Sequence, residues 1–335
     1  MIWNNIELFN VDEVEKRTDG ALKMYRFPKS TRDCFLNSCQ HYSVGVGCLT
    51  TGCELRFVGK MANILLSAED CDGTVEIFRG DFLCRVERLQ AGVVKRIELR
   101  ENTALDSLYP DGYQGRFSPD VWRIVFDHDV SVVLHDVQAL SPIRPPMQNE
   151  IPSKKILAYG SSITHSACSI LYTNSYIYTV GRKLGADVLC KGMGGSCHCQ
   201  NEIADYIAGA DWDVAILELG INMVESYPVS LFEERATYLV KRALERGKPV
   251  VLISNFMSYE NLPSAKFHQA NDEYVACLES IYSRLKCDHL YYIRGQEILD
   301  EWDLLTADLI HPSPYGHGEM GRKIAKKLRD EFGIL

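Results

Sequence analysis

Ile156-Leu157-Ala158-Tyr159-Gly160-Ser161-Ser162-Ile163-Thr164 decides the fold. Four apolar residues without polar alternation predict a strand covered on both faces, the mark of a parallel sheet. The small residues after it turn the chain off the strand and set a hydroxyl where the amides of a starting helix collect. The same grammar recurs downstream. Apolar runs predict strands over 156–159, 187–190, 214–219, 250–254 and 290–293. Amphipathic spacing predicts helices between and after them, over 176–184, 201–208, 231–246, 265–285 and 319–332. Right-handed crossovers then make residues 156–335 a three-layer α/β/α domain around a parallel sheet.

Upstream the period changes. Runs at 53–58, 62–67, 74–78, 82–89, 93–99, 121–126 and 130–137 alternate or are β-branched. Tight-turn residues separate them, Asp72-Gly73, Arg79-Gly80-Asp81 and Gln90-Ala91-Gly92 among them. Such spacing predicts an all-β, jelly-roll-like sandwich over residues 1–140. The opening 40 residues carry no clear period. Pro142, Pro145, Pro146 and Pro152 punctuate 141–155, which reads as a linker.

Composition narrows the function. The 335 residues are 46% hydrophobic and 24% charged, ordinary for a globular protein able to bury a large core. A net charge of −9 argues against a nucleic-acid partner, which needs a basic stripe. The basic run at Arg322, Lys323, Lys326, Lys327 and Arg329 is interleaved with acids and fits a solvated face near a helix C-terminus. No run approaches the roughly 20 apolar residues that span a bilayer, so no membrane partner is expected. The N-terminus lacks the basic and apolar segments of a secretory leader, and a cytoplasmic location is expected. Twelve scattered cysteines in a chain of this size fit buried thiols better than a disulfide framework. Adjacent Cys197-His198-Cys199 cannot easily wrap one tetrahedral ion, so no structural metal is expected.

In an open parallel sheet, ligands bind beyond the carboxyl ends of the strands. Ser162 follows the first strand. Lys191-Gly192-Met193-Gly194-Gly195-Ser196 follows the second, where glycines bring backbone N–H groups close to a substrate oxygen. No Walker lysine or dinucleotide glycine pattern accompanies them. Gly220-Ile221-Asn222-Met223 follows the third strand, and Asn222 can donate its amide to an oxyanion. Asp308-Leu309-Ile310-His311-Pro312 lies past the fifth, spaced so that the carboxylate can hold the imidazole in one tautomer. Each signal alone fits an ordinary turn. Four in succession, ordered nucleophile, amide donor, side-chain donor and base, point to one site.

These blocks resemble the SGNH, or GDSL-like, hydrolases, a family with a flavodoxin-like α/β/α fold. The resemblance covers residues 156–335 and implies Ser162 as nucleophile, His311 as base and Asp308 as its orienting acid. It also implies an oxyanion hole from the Ser162 and Gly195 backbones and the Asn222 side chain. The β-rich region ahead is similar to a two-domain branch that includes carbohydrate esterases. Two positions depart: Ser161 and Met223 stand where the family usually has Asp. The first changes what braces the nucleophile turn.

The implied activity is hydrolysis of small acyl esters, acetyl foremost, on small molecules or carbohydrates, with no metal or organic cofactor. Transfer of the acyl group to an alcohol uses the same intermediate and stays open, as does a catalytically silent sugar-binding protein. His165 and Tyr113 are candidate substrate contacts, Tyr113 in a glycine-rich loop (111–116) that could edge the site; Phe117 and Trp122 fit core packing better. His198 and His317 fit incidental positions. Oligomeric state is not legible in the sequence.

Overall fold

The computed structural model describes residues 1–37, 42–101, 103–108, 112 and 115–334. It divides into two units: Met1–Lys29 with Gly47–Ser153, and Lys154–Leu335 with Ser30–Val46. The inclusion of Ser30–Val46 in the second unit departs from a first domain running unbroken over 1–140.

The first unit holds eleven strands: β1 (Ile2–Trp3), β2 (Ile6–Phe9), β3 (Glu13–Lys16), β4 (Leu22–Tyr25), β5 (Glu54–Val58), β6 (Met61–Ala68), β7 (Gly73–Arg79), β8 (Phe82–Leu89), β9 (Lys95–Arg100), β10 (Val121–Phe126) and β11 (Val132–Ala139). They pair antiparallel in two sheets, ordered β1-β2-β5-β10-β7-β8 and β3-β4-β11-β6-β9. Alternation along each strand sends one set of side chains inward. Leu55, Phe57, Ile77 and Ile124 of one sheet meet Met24, Ile64, Leu66 and Leu134 of the other in one apolar core, which makes the unit a sandwich. Phe117 and Trp122 are 1% and 2% exposed, so both are core residues.

The opposite face of the six-stranded sheet is buried too, and it is polar. Glu54 accepts from Arg123 Nε and Nη2 at 2.8 and 2.7 Å and from Arg56 Nε at 2.8 Å. Burial alone would raise the Glu54 carboxyl, but Arg123 and Arg56 outweigh it and hold it well below the usual range. Arg56 lies 3.6 Å from the Phe9 ring centroid and Arg123 3.9 Å from that of Phe117.

Short helices α1 (Lys29–Arg32) and α2 (Tyr42–Cys48) precede β5. The second unit is built on β12 (Lys155–Gly160), β13 (Asp187–Gly192), β14 (Val214–Glu218), β15 (Val250–Ile253) and β16 (Leu290–Ile293). All pair parallel, in the order β13-β12-β14-β15-β16. Between and after them run α3 (Tyr176–Leu184), α4 (Asn201–Gly209), α5 (Val229–Leu244), α6 (His268–Leu285) and α7 (Pro314–Lys326). The terminal helix starts earlier than its apolar period suggests. Ser313 Oγ accepts from Gly316 N at 3.1 Å and Pro314 opens the first turn, a start that capping favours. No helix among the described residues is long and apolar enough to cross a membrane.

Candidate active site

The first three strands of the sheet in chain order, β12, β13 and β14, end at Gly160, Gly192 and Glu218, and the chain beyond each of them bends over the sheet edge. After Gly160, His165 N bonds to Ser161 O and Ala167 N to Ser162 O, both at 2.9 Å. This single helical turn lifts the Ser162 side chain into the open. Its Oγ lies 2.8 Å from His311 Nε2.

The Asp308–His311 turn is organised by one carboxylate. Asp308 Oδ1 accepts from Thr306 Oγ1 at 2.8 Å and from the Ile310 and His311 amides at 2.9 Å each. Its Oδ2 lies 2.7 Å from His311 Nδ1. An ionised carboxylate accepts only, so Nδ1 carries the proton and Nε2 presents a lone pair to the Ser162 hydroxyl. Burial pushes Asp308 upward, but the bonds from His311, Ile310 and Thr306 prevail and hold it well below the ordinary carboxylate range. Leu309 sits at φ 55°, the left-handed step that lets the carboxylate reach back over its own turn.

On the other side of Ser162 lie Gly194, Gly195 and Asn222, all lining one cleft of about 410 Å³ with Ser162 and His311. Gly195 has φ 61°, which a side chain would strain. Asn222 Oδ1 accepts from Cys197 N at 3.2 Å. Because that amide can only donate, the Asn222 carbonyl is fixed and its NH₂ group is the end left for the cleft. Gly192 is required for a different reason. A Cβ there would come 2.4 Å from His165 N, against the turn that carries Ser162.

The turn answers the Ser161 departure. Ser161 Oγ accepts from Ile163 N at 3.2 Å, as a capping carboxylate would. The carboxylate itself stands one strand away: Glu218 Oε2 accepts from Ser161 N at 2.6 Å and from Thr164 Oγ1 at 3.1 Å. Glu218 is fully buried, and burial pushes it up to about 7 despite those bonds. Sequence reasoning missed Glu218; the signal was an acid closing the otherwise apolar run Val214-Ala215-Ile216-Leu217-Glu218. It also missed Glu260, a further cleft residue.

Ser162, His311, Asp308, Gly195 and Asn222 are thus gathered at one sheet edge. His165 is not gathered with them. It is 3% exposed and absent from the cleft lining, because the turn after Ser162 carries it inward against Gly192 and Gly194. Tyr113, with positions 111 and 114 of its loop, lies outside the described residues. His317 is not incidental. It lies between Tyr176 N at 3.2 Å and Ala167 O at 2.9 Å, joining α7 to the loop after Ser162. Cys197, His198 and Cys199 are buried. Among the described residues, the group that brings three metal-ligating atoms within 4.8 Å of one another is Cys168, Asp308 and His311, whose Asp and His are already hydrogen-bonded to each other.

No curated protein matches the chain in sequence. Among solved structures, a salicylyl-acyltransferase from a tetracycline biosynthetic pathway superposes with a TM-score of 0.80 at 16% identity, covering 99% of this chain and 96% of its own. A family two carbohydrate esterase from Cellvibrio japonicus gives 0.66 at 13%, covering 98% and 96%. An acetyl xylan esterase from the rumen bacterium Butyrivibrio proteoclasticus gives 0.55 at 12%, covering 84% and 90%. At these identities the likeness is one of fold, across both the sandwich and the α/β/α unit. The family model described as GDSL-like lipase/acylhydrolase matches residues 153–329, more than half of the sequence. That match spans the strand ends that carry Ser162, Gly195, Asn222, Asp308 and His311, and by it the chain belongs to the GDSL-like lipase/acylhydrolase family, as an SGNH-type esterase or acylhydrolase.

Proposed function

We propose that the protein is a serine esterase that removes small acyl groups, acetyl foremost, from carbohydrate or related alcohols. The observation that carries this reading is the unbroken chain Ser162 Oγ–His311 Nε2, His311 Nδ1–Asp308 Oδ2, at 2.8 and 2.7 Å. His311 Nε2 takes the Ser162 proton as Oγ attacks the ester carbonyl. Asp308, kept ionised by its donors, holds the imidazole in place and stabilises the imidazolium. The oxyanion is received by the Ser162 and Gly195 N–H groups and the Asn222 amide, each worth about 3 kcal/mol of barrier in such sites. His311 returns the proton to the departing alcohol. Water, deprotonated by the same nitrogen, then releases the acid and restores Ser162.

Two features favour a carbohydrate ester. The sandwich and α/β/α pairing is shared over nearly the whole chain with a carbohydrate esterase. The cleft of about 410 Å³ is of a size that takes a small acyl group and one ring, and carries acids as well as apolar walls. Acyl transfer to a second alcohol is the alternative, favoured by the likeness to a salicylyl-acyltransferase. Both pass through one acyl-enzyme. Hydrolysis of p-nitrophenyl acetate by wild type and S162A tests the chemistry: the variant should retain less than about one part in 10³ of kcat. Equal rates would remove Ser162 from the reaction. Adding sugar alcohols and analysing products separates acid release from transesterification.

A further inference from the structure

Two acids share the cleft with Ser162 and take no part in the chemistry above: Glu225 and Glu260. Glu260 lies in the short turn Tyr259–Asn261 beyond β15, capped by Ser258, whose Oγ accepts from Glu260 N at 3.3 Å. Its residue is 2% exposed, and its Oε2 is buried without a hydrogen-bond partner among the described residues. Burial, reinforced by the charge of Glu225, pushes its carboxyl up to about 7. Glu225 is exposed at the mouth, where Tyr259 donates to its Oε1 at 3.1 Å. Ile221 and Ile310 supply apolar wall.

A buried polar atom left without a partner is costly, and a fold that keeps one inside a cleft has a use for it when something fills the cleft. The position says what. Tyr259 N donates to Leu309 O at 2.7 Å, tying the Glu260 turn to the turn that carries His311. The departing alcohol must collect its proton from His311 Nε2, so it leaves on the His311 side of the nucleophile. Glu260 is held against that side, whereas Gly195 and Asn222 serve the carbonyl oxygen.

We propose that Glu260, with Glu225 at the mouth, forms a subsite for the alcohol portion of the ester, receiving a hydrogen-bond-donating group: a sugar hydroxyl or an ammonium. Above about pH 7, where Glu260 is ionised, its carboxylate offers only acceptors, so in a test run at pH 8 an ester whose alcohol carries no donor gains nothing there. The proposal rests on the esterase reading for its placement of the alcohol.

The test compares kcat/KM of the full chain on three acetates: ethyl acetate, with no donor; 6-O-acetylglucose, with hydroxyls; and 2-(dimethylamino)ethyl acetate, with one ammonium proton. Glu260→Met removes the acceptor at similar volume, and Glu260→Gln keeps an acceptor without charge. Glu260→Met should leave ethyl acetate within about twofold and lower one donor-bearing ester about tenfold to a hundredfold, through KM. Rescue by Glu260→Gln identifies the hydroxyl; failure of that rescue identifies the ammonium. Equal loss on all three esters, or loss on none, overturns the subsite. If S162A and wild type hydrolyse all three equally, the esterase reading fails by itself. The subsite is then read from NMR titration with glucose and with 2-(dimethylamino)ethanol, where binding unaltered by Glu260→Met, or absent from wild type, overturns it.

Discussion

Replacing Glu218 with glutamine should change how stability depends on pH. Glu218 is completely buried, and its carboxyl is pushed from an ordinary 4.5 to about 7 by that burial, against the pull of Ser161 and Thr164. A displacement of that size corresponds to about 3 kcal/mol in favour of the protonated form inside the fold. Below pH 4.5 the folded and unfolded chains both hold this proton, and ionisation costs nothing. Between pH 4.5 and 7 the unfolded chain releases it while the folded chain retains it, so stability falls as pH rises. Above 7 both are ionised and the loss is complete. The amide introduced by E218Q cannot ionise. It can still accept from Ser161 N through its carbonyl, and any cost of seating its NH₂ group is the same at every pH. The assay is urea unfolding of wild type and E218Q at pH 4.5, 5.5, 6.5 and 7.5, followed by the far-UV helical signal, which the second unit mainly supplies. Other titrating groups, Glu260 included, cancel in the difference. E218Q should gain on wild type by about 3 kcal/mol across the series. Parallel curves would refute the argument that burial controls this carboxyl.

Two further expectations follow from geometry. Asn222→Ala removes one donor of the proposed oxyanion hole and should lower kcat about a hundredfold with KM little changed, while the lost acceptor for Cys197 N costs about 1–3 kcal/mol of stability; a kcat within a few-fold of wild type would place the amide elsewhere. Glu54→Gln should destabilise the sandwich by about 3 kcal/mol, since it removes the buried charge that Arg56 and Arg123 share, Glu7 remaining 3.9 Å from Arg56. Unfolding free energies within about 1 kcal/mol of each other would show that those arginines find other compensation.

What the sequence made legible were features whose cause is local. Apolar runs such as Val250–Ile253 name themselves as buried parallel strands, and Asp308 and His311 are close enough in sequence for one turn to join them. Ser162 and His311 are 149 positions apart, yet their meeting was foreseeable, because the sheet rule sends every strand end to the same edge. Glu218 was hidden by the same pattern. It continues a strand by period, and its contact with Ser161 crosses between neighbouring strands, 57 positions away in sequence. His165 was misplaced because spacing from Ser162 says nothing about which side of a tight turn faces inward. The opening residues gave no period because their strands are two to four residues long, and one of them, Glu13-Val14-Glu15-Lys16, offers a single apolar residue, Val14. Nor does any local signal tell Ser30–Val46 to group with the second unit.

Three carboxyl groups lie close to Ser162, in its hydrogen-bonded chain, beneath its turn and in its cleft, and their surroundings separate their proton affinities. Asp308 accepts from two amides, one hydroxyl and one imidazole, so it remains ionised far into acid. Glu218 has donors from Ser161 and Thr164 but is fully buried, and Glu218 and Glu260 each keep one oxygen with no partner among the described residues, so burial prevails and each rises to about 7. Divergence of this kind sets roles. In the proposed mechanism the one group that must be negative at every working pH is the one that faces the imidazolium, and it is the one given the most donors. At Glu218, a carboxyl that holds its proton up to about pH 7 braces the Ser161 amide without a charge in acid. The turn that carries Ser162 is therefore braced by two groups, Ser161 Oγ accepting from Ile163 N and buried Glu218 accepting from Ser161 N.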